Sequence, residues 1–434
     1  MAYIRKRGKT YTITVSSGYD ETGKKITRST TFTPDYLTAT GREKAASVIQ
    51  RELEEFAAAF EQQVKTGTAP IGGNLRFSEL AARYLEEYAA LELEAGTADG
   101  YRDIIEKRLL PAWGSMKIKD LCQNQLGLQT YFNKMVNAQG RPLAPASVRR
   151  YMAVMSSVLS WAVDMGLIPS NPMERVKPPK EGFKEPNPKS FTIEELKRFL
   201  EALSLPQTAT YKAHTRTAST GIVYQVQEYQ EQRFLPEQFK LFYLMAAFSG
   251  ARRGELLALD WSDLDFNAGT VRLYKSLSKT AAGLVIKSTK TASGVRVINM
   301  PASVMDLARE WKHHQIEQRL QMGTAWKGKE NIFCQADGSR MYPDTVTAKF
   351  RDIIRNYNAQ CAPADRLPEI TLHGLRHTAA SILINQHADI ATVSKRLGHS
   401  RTSVTLDIYT HAIESADKAA ADLLEGLVGD AVTR

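Results

Sequence analysis

The stretch TLHGLRHTAAS, residues 371–381, sets two hydrogen-bond donors, His373 and Arg376, three residues apart, a spacing that turns both toward one face of a helix. Downstream, RLGHS (396–400) places His399 at the expected end of the helix ADIATVSKRL, and SVTLDIYTH (403–411) brings Tyr409 ten positions later. Far upstream, SGARRGELLAL (249–259) supplies Arg252. An arginine fork donates two parallel hydrogen bonds to phosphate oxygens and stays charged at any working pH. A phenol, with a pKa of about 10, is a poor nucleophile at neutral pH unless nearby cations lower the cost of its anion. Together these residues read as a site that holds a phosphodiester and attacks it with a phenol oxygen. The i, i+4 pair His373 and His377 also raises zinc, but the glutamate of an H-E-x-x-H site is missing and an arginine stands between the histidines. Neither a metal nor a cofactor is expected.

Composition sets the wider limits. At 434 residues the chain is too long for one typical core and favours two or three domains. Hydrophobic residues at 43% and charged residues at 24% exclude wholesale disorder. Lys and Arg number 57 against 47 Asp and Glu, a net charge of +10, which suits a polyanionic partner because cations near phosphates release condensed counterions. Cys122, Cys334 and Cys361 are odd in number and scattered, so neither a disulfide framework nor a cysteine zinc site is suggested. With no apolar leader and no bilayer-length run, the expectation is a cytoplasmic protein with no membrane partner.

Along the chain, the alternation in YTITV and the turn YDETGKK predict a small sheet over Tyr3–Thr33, followed by a helix from about Gly41 to Val64. Arg5, Lys6, Arg7, Lys9, Lys24, Lys25 and Arg28 meet only Asp20 and Glu21 there, which suits a β-sheet that reads a DNA groove. The Gly/Thr/Pro-rich stretch Thr66–Asn74 reads as a linker, and the following hundred or so residues read as four or five helices. The last of these carries Arg149 and Arg150, further candidates for DNA contact. A second linker, Lys177–Ser190, precedes FTIEELKRFLEAL, where Thr192 and Glu195 form a capping-box signature. The largest domain follows, mixing helices with one strand region from TVRLYKSLSK to VRVINMP.

These motifs, in this order, resemble the tyrosine recombinase family, and in particular the integrases of temperate phages and integrative conjugative elements. The resemblance covers essentially the whole chain. It implies a multidomain α+β fold: an arm-site DNA-binding domain of β-sheet plus helix at 1–66, a helical core-binding domain at 75–176, and a mainly α catalytic domain with a small antiparallel sheet at 190–434, C-terminal tail included. It implies that Tyr409 is the nucleophile, Arg252 and Arg376 the phosphate clamp, His373 an acid/base, His399 a phosphate donor, and Glu255 the acidic partner that holds the site together. STKTASGVRVINMP (288–301) resembles the family's hairpin lysine motif and maps the general acid onto Lys290, with Lys287, Lys279 and Lys275 as neighbouring alternatives. His377 is expected to pack rather than react.

The resemblance further implies site-specific cleavage and rejoining of double-stranded DNA through a 3′-phosphotyrosyl link, without ATP, to integrate and excise a mobile element. Core sites and arm sites, a tetramer on DNA, and an excision factor or host DNA-bending protein are the implied partners. Two alternatives stay open: a Xer-like recombinase that resolves dimers, which the basic N-terminal sheet argues against, and a regulator that binds DNA without catalysis. One departure from the family pattern is the long segment between Leu203 and Phe239, read as a hairpin or loop that touches DNA or a neighbouring subunit, or as a tolerated surface insertion.

Overall fold

Ile13 and Val15, two residues apart on a strand, are buried against Leu53, Ala57, Phe60 and Val64, which recur at helical spacing. That contact organises the first part of the chain. In the computed structural model, which describes residues 2–19, 23, 25–37, 42–65, 75–180, 190–217, 221–289, 294–399, 401–403 and 405–406, strands β1 (Tyr3–Arg7), β2 (Thr10–Tyr19) and β3 (Lys25–Phe32) form an antiparallel sheet in the order β1–β2–β3. The helix Ala46–Lys65 covers one face. It starts about five residues later than the periodicity suggests. Lys24, Lys290, Tyr409, the Thr66–Asn74 linker, most of the Lys177–Ser190 linker and the tail from Ile413 to Arg434 lie outside the described residues.

The chain divides into two compact units, Met1–Phe183 and Lys184–Arg434. Beyond the N-terminal sheet and its helix, the described residues of the first unit form five helical runs, 77–92, 95–113, Ile118–Gln123, Gln125–Asn133 and Pro145–Asp164, and a short 3-10 turn, Pro172–Arg175. Tyr84–Ala89 and Ile105–Leu109 are π-helical turns inside the first two runs. A separate core gathers Phe77, Tyr84, Ile105, Phe132, Met155 and Val158. The long helix Pro145–Asp164 supplies much of it, with Pro145 at its first turn where a missing N–H costs nothing.

In the second unit the helix Ile193–Ala202 begins as its sequence predicts. Thr192 Oγ1 accepts the Glu195 N–H at 3.1 Å, and the Glu195 carboxylate accepts the Thr192 N–H at 2.7 Å. The core packs the helices Glu237–Ser249, Ala302–Met322 and Pro343–Gln360 around Phe199, Phe242, Tyr243, Phe333 and Phe350. Against it lie a sheet of order β12–β9–β8 and a ribbon β10–β11, with β8 Leu264–Asp265, β9 Thr270–Leu273, β10 Lys275–Thr280, β11 Gly283–Ser288 and β12 Arg296–Asn299.

The long segment between Leu203 and Phe239 is a β-ribbon. Strands β4 (Gln207–Tyr211) and β7 (Tyr229–Arg233) pair at its base, and β5 (His214–Thr217) and β6 (Val223–Val226) pair further out. Tyr211 and Tyr229 stack at 4.7 Å between ring centres, with the Arg233 guanidinium over Tyr211. Among the described residues of the paired stretch 207–233 only Gln207 is buried; the Gln207 amide donates to the carbonyls of Ala202 and Leu205.

Candidate active site

Four of the sequence-derived site residues meet at the ends of short elements. The helix Glu237–Ser249 stops at Gly250, whose φ of 63° is the left-handed conformation that favours glycine. Its carbonyl accepts Arg376 Nη1 at 2.8 Å. Arg376 lies in the first turn of the helix Gly374–Asn385, directly after His373, so both sit where backbone N–H groups and the helix dipole favour an anion. Arg376 is buried, whereas Arg252, just before the helix Arg253–Leu257, keeps 45% of its side chain exposed. One guanidinium is therefore built into the floor and the other reaches outward.

Glu255 explains how Arg252 is held. Its carboxylate accepts the Arg252 N–H at 2.8 Å and Nη1 at 3.0 Å, and on its inner side accepts Arg296 Nη2 at 2.7 Å. Burial by itself pushes the Glu255 carboxyl up, but the hydrogen bonds and charge of Arg296, followed by the backbone N–H and charge of Arg252, hold it below the ordinary carboxylate value. Gly254 is needed for packing: a Cβ there would stand 2.6 Å from the Leu277 carbonyl oxygen of β10. Arg253, the neighbouring arginine, instead donates to the Pro343 carbonyl and to Thr347 Oγ1 at 2.7 Å.

The histidines are held neutral. Desolvation, then the cations of Arg376 and Arg252, lower the pKa of His373. Desolvation, then Arg376, Arg252 and Arg296, bring His399 down to about 4. The same cations acting on both rings show that Arg252, Arg376, His373 and His399 share one electrostatic neighbourhood. His399 follows Gly398, whose φ of 71° ends the helix Ile390–Leu397, and its Nδ1 is hydrogen-bonded with Thr405 Oγ1 at 2.8 Å. His377 packs edge-on against His373, ring centres 5.0 Å apart, and desolvation, then His373 and Arg376, lower its pKa to about 4. A cavity of about 310 Å³ beside these residues is lined by Ala251, Leu256, Thr371, His373 and Arg376 among others.

The lysine alternatives separate by position. Lys275 is buried and paired with Asp260 and Asp263, and its pKa is raised because those carboxylates outweigh desolvation. It anchors the root of the β10–β11 ribbon. Lys279 bonds Asp344 at 3.2 Å on the surface, and Lys287 stands on β11 opposite Ser276. Lys290 and Tyr409 lie outside the described residues.

Arg296 and Thr405 were not among the sequence-derived candidates. The alternation of Arg296, Ile298 and Met300 puts the arginine on the inward side of its strand, a signal that calls for a buried acid. Thr405 carries no such mark.

The candidate DNA-contact residues of the first unit fall on different faces. Register puts Arg5 opposite Thr12 and Thr12 opposite Thr31, on the face away from the helix, while Ile4, Ile13 and Thr30 share the helix side. Arg5 and Arg7 thus stand on an open face with Thr12, Thr14, Ser29 and Thr31. Lys6 lies on the opposite side, its Nζ 5.8 Å from the centre of the Tyr11 ring. Lys25 is exposed and pairs with Tyr19 in register at the start of β3. In the core-binding region Arg150 is exposed, but Arg149 donates to the Pro179 carbonyl at 3.1 Å.

Comparison with known proteins gives the same direction. The phage integrase family model matches residues 223–415, and the phage integrase N-terminal SAM-like domain model matches 76–136. The chain is similar to the ICEBs1 integrase of Bacillus subtilis (strain 168), 25% identical over 420 residues that span 96% of this chain and 97% of that protein. It is similar too to a tyrosine recombinase XerC-like protein of Caldanaerobacter subterraneus subsp. tengcongensis, 23% identical over 446 residues and 98% of each chain. In fold it is similar to the Tn1549 transposon integrase, solved in complex with a circular intermediate DNA, with a TM-score of 0.58 and 18% identity, covering 80% of this chain and 99% of that one.

Proposed function

The chain belongs to the tyrosine recombinase family, the phage integrases, and from that premise we propose that it integrates and excises a mobile DNA element by cutting and rejoining DNA through Tyr409. The observation that supports this reading most is the convergence of Arg252, Arg376, His373 and His399 on one patch that mixes fixed cations with neutral imidazoles.

In this reading Arg252 and Arg376 hold the nonbridging oxygens of the scissile phosphate and stabilise the charge that builds as it becomes five-coordinate. In this reading the Thr405 hydroxyl is the donor in its bond with Nδ1, which puts the single proton of neutral His399 on Nε2 for donation to a phosphate oxygen. His373 enters as the neutral imidazole and takes the proton that the Tyr409 phenol gives up. The Tyr409 oxygen attacks phosphorus, the bond to the 5′ oxygen breaks, and Lys290 protonates that leaving oxygen. The 3′-phosphotyrosyl bond keeps the phosphodiester energy, so a new 5′ hydroxyl can reverse the step without ATP.

Exchange between two duplexes requires four cuts, hence four copies of the chain on DNA. The region 1–66 serves as an arm-site reader through the open face bearing Arg5 and Arg7, 75–176 as the core-binding domain and 190–434 as the catalytic domain. The ICEBs1 and Tn1549 integrases among its relatives support an element-borne role.

The test is a core-site duplex nicked so that the cleaved end diffuses away. The wild type should become covalently attached to the labelled strand, and Tyr409→Phe should bind the site with nearly unchanged affinity and form no adduct. An adduct with the phenylalanine variant would remove Tyr409 from the reaction.

A further inference from the structure

Arg296 is 3% exposed in its side chain and turns Nε, Nη1 and Nη2 all to protein groups, among them the structures that carry two of the phosphate-facing residues. Nη2 donates to Glu255 Oε2 at 2.7 Å and Nη1 to Glu255 Oε1 at 3.3 Å. Nη1 also reaches the Gly294 carbonyl at 3.3 Å, and Nε donates to the Arg396 carbonyl at 2.8 Å. Glu255 passes the contact on to Arg252. Arg396 lies in the last turn of the helix that Gly398 ends and His399 follows. Gly294 follows Lys290 by four positions in the chain.

We propose that Arg296 is a positioning residue for strand cleavage: it fixes the Glu255 carboxylate and through it the Arg252 guanidinium, and ties the same frame to the helix end that presents His399. The inference rests on the reading of Arg252 as a phosphate clamp. A guanidinium suits the task because its rigid planar fork bonds both carboxylate oxygens while Nε points along a third direction. A lysine would offer one point charge with no fixed orientation.

Arg296 and Arg252 are the charged groups that act on Glu255 among the described residues. Without Arg296, a carboxylate that is 2% exposed keeps a single cation, itself half in solvent. Burial then prevails, Glu255 takes up a proton in the neutral range, and Arg252 loses both its charge partner and its orientation.

The experiment uses the full chain on the nicked core site, with adduct rate read across pH 5.5 to 8.5 beside DNA affinity and thermal melting. Arg252→Ala alone should slow cleavage by about 100-fold or more, the scale of one lost preorganised donor. Arg296→Met should slow it at least tenfold with DNA affinity kept, and its remaining rate should climb with pH as Glu255 recovers its charge. Combining the two should cost less than tenfold beyond the worse single variant, because both act through one guanidinium. Arg296→Met with Glu255→Gln should regain melting temperature, since no uncompensated charge is left buried, without regaining rate. That pair and Arg296→Lys also keep the test open if Arg296→Met folds poorly. Wild-type cleavage by Arg296→Lys, recovery of rate with melting in the paired variant, or fully multiplicative losses would each overturn the inference. Normal cleavage by Arg252→Ala would instead overturn the reading of the site.

Discussion

Gly250 answers two demands at once: a backbone at φ 63° and room for Leu397, whose Cδ2 would stand 2.7 Å from an added Cβ. Its carbonyl also orients Arg376. Gly250→Ala should therefore lower stability by more than about 1 kcal/mol and reduce cleavage in the fraction that stays folded; unchanged melting and rate would show that the loop absorbs the methyl group. The histidines make a separate prediction. His377 and His399 are held at about 4, below the roughly 6.5 of an unfolded chain. The unfolded state binds more protons between those values, so the stability from keeping them neutral is fully present above about pH 6.5 and is lost as pH falls through about 4. His399→Gln should flatten the fall of melting temperature over that window relative to wild type. Parallel curves would mean that His399 is not held neutral.

The elements differ in how firmly their own residues decide them. The helix Ile193–Ala202 starts where Thr192 and Glu195 cap it, a local exchange of two hydrogen bonds readable in any context. The ribbon β4–β7 is decided by pairing between residues about twenty apart, and its polar, half-exposed strands leave no clean alternation to read. Because its anchorage is at the base, through Gln207 and the Asn356 amide that donates to it at 3.2 Å, the outer part adds little to the core. Replacing residues 209–231 by Asn-Gly should shift the melting temperature by no more than about 4 °C, the size of a change of ~1 kcal/mol in a unit of this length. A larger fall would show that the ribbon helps hold the catalytic unit together.

At the scale of the molecule, separate hydrophobic clusters in the N-terminal sheet and in the helical region let the two be treated as independently stable parts of the first unit. A fragment starting at Asn74 keeps the second cluster and every candidate catalytic residue, so it should bind and cleave core sites. It should lose protection at sites distant from the crossover point, and with it efficient integration. Footprints of full-length chain and fragment on the element's end DNA decide this: identical protection would remove the arm-site role from the face that carries Arg5 and Arg7, and would favour the dimer-resolving alternative.

The resemblance implied Glu255 as the partner of Arg252, and the residues themselves placed His373 and Arg376 together, His399 near a helix end, and the small sheet ahead of a helical region. Each rests on contacts within a few residues, where spacing along a helix or strand converts directly into direction. Only the tertiary structure decided that Arg296, 41 residues from Glu255, supplies the buried counter-charge, that Thr405 bonds His399, and that Lys275 is locked to Asp260 and Asp263. The physical reason is the same in each case: a buried charge or polar group must find a partner, but chain spacing does not say which distant side chain the fold will bring to it.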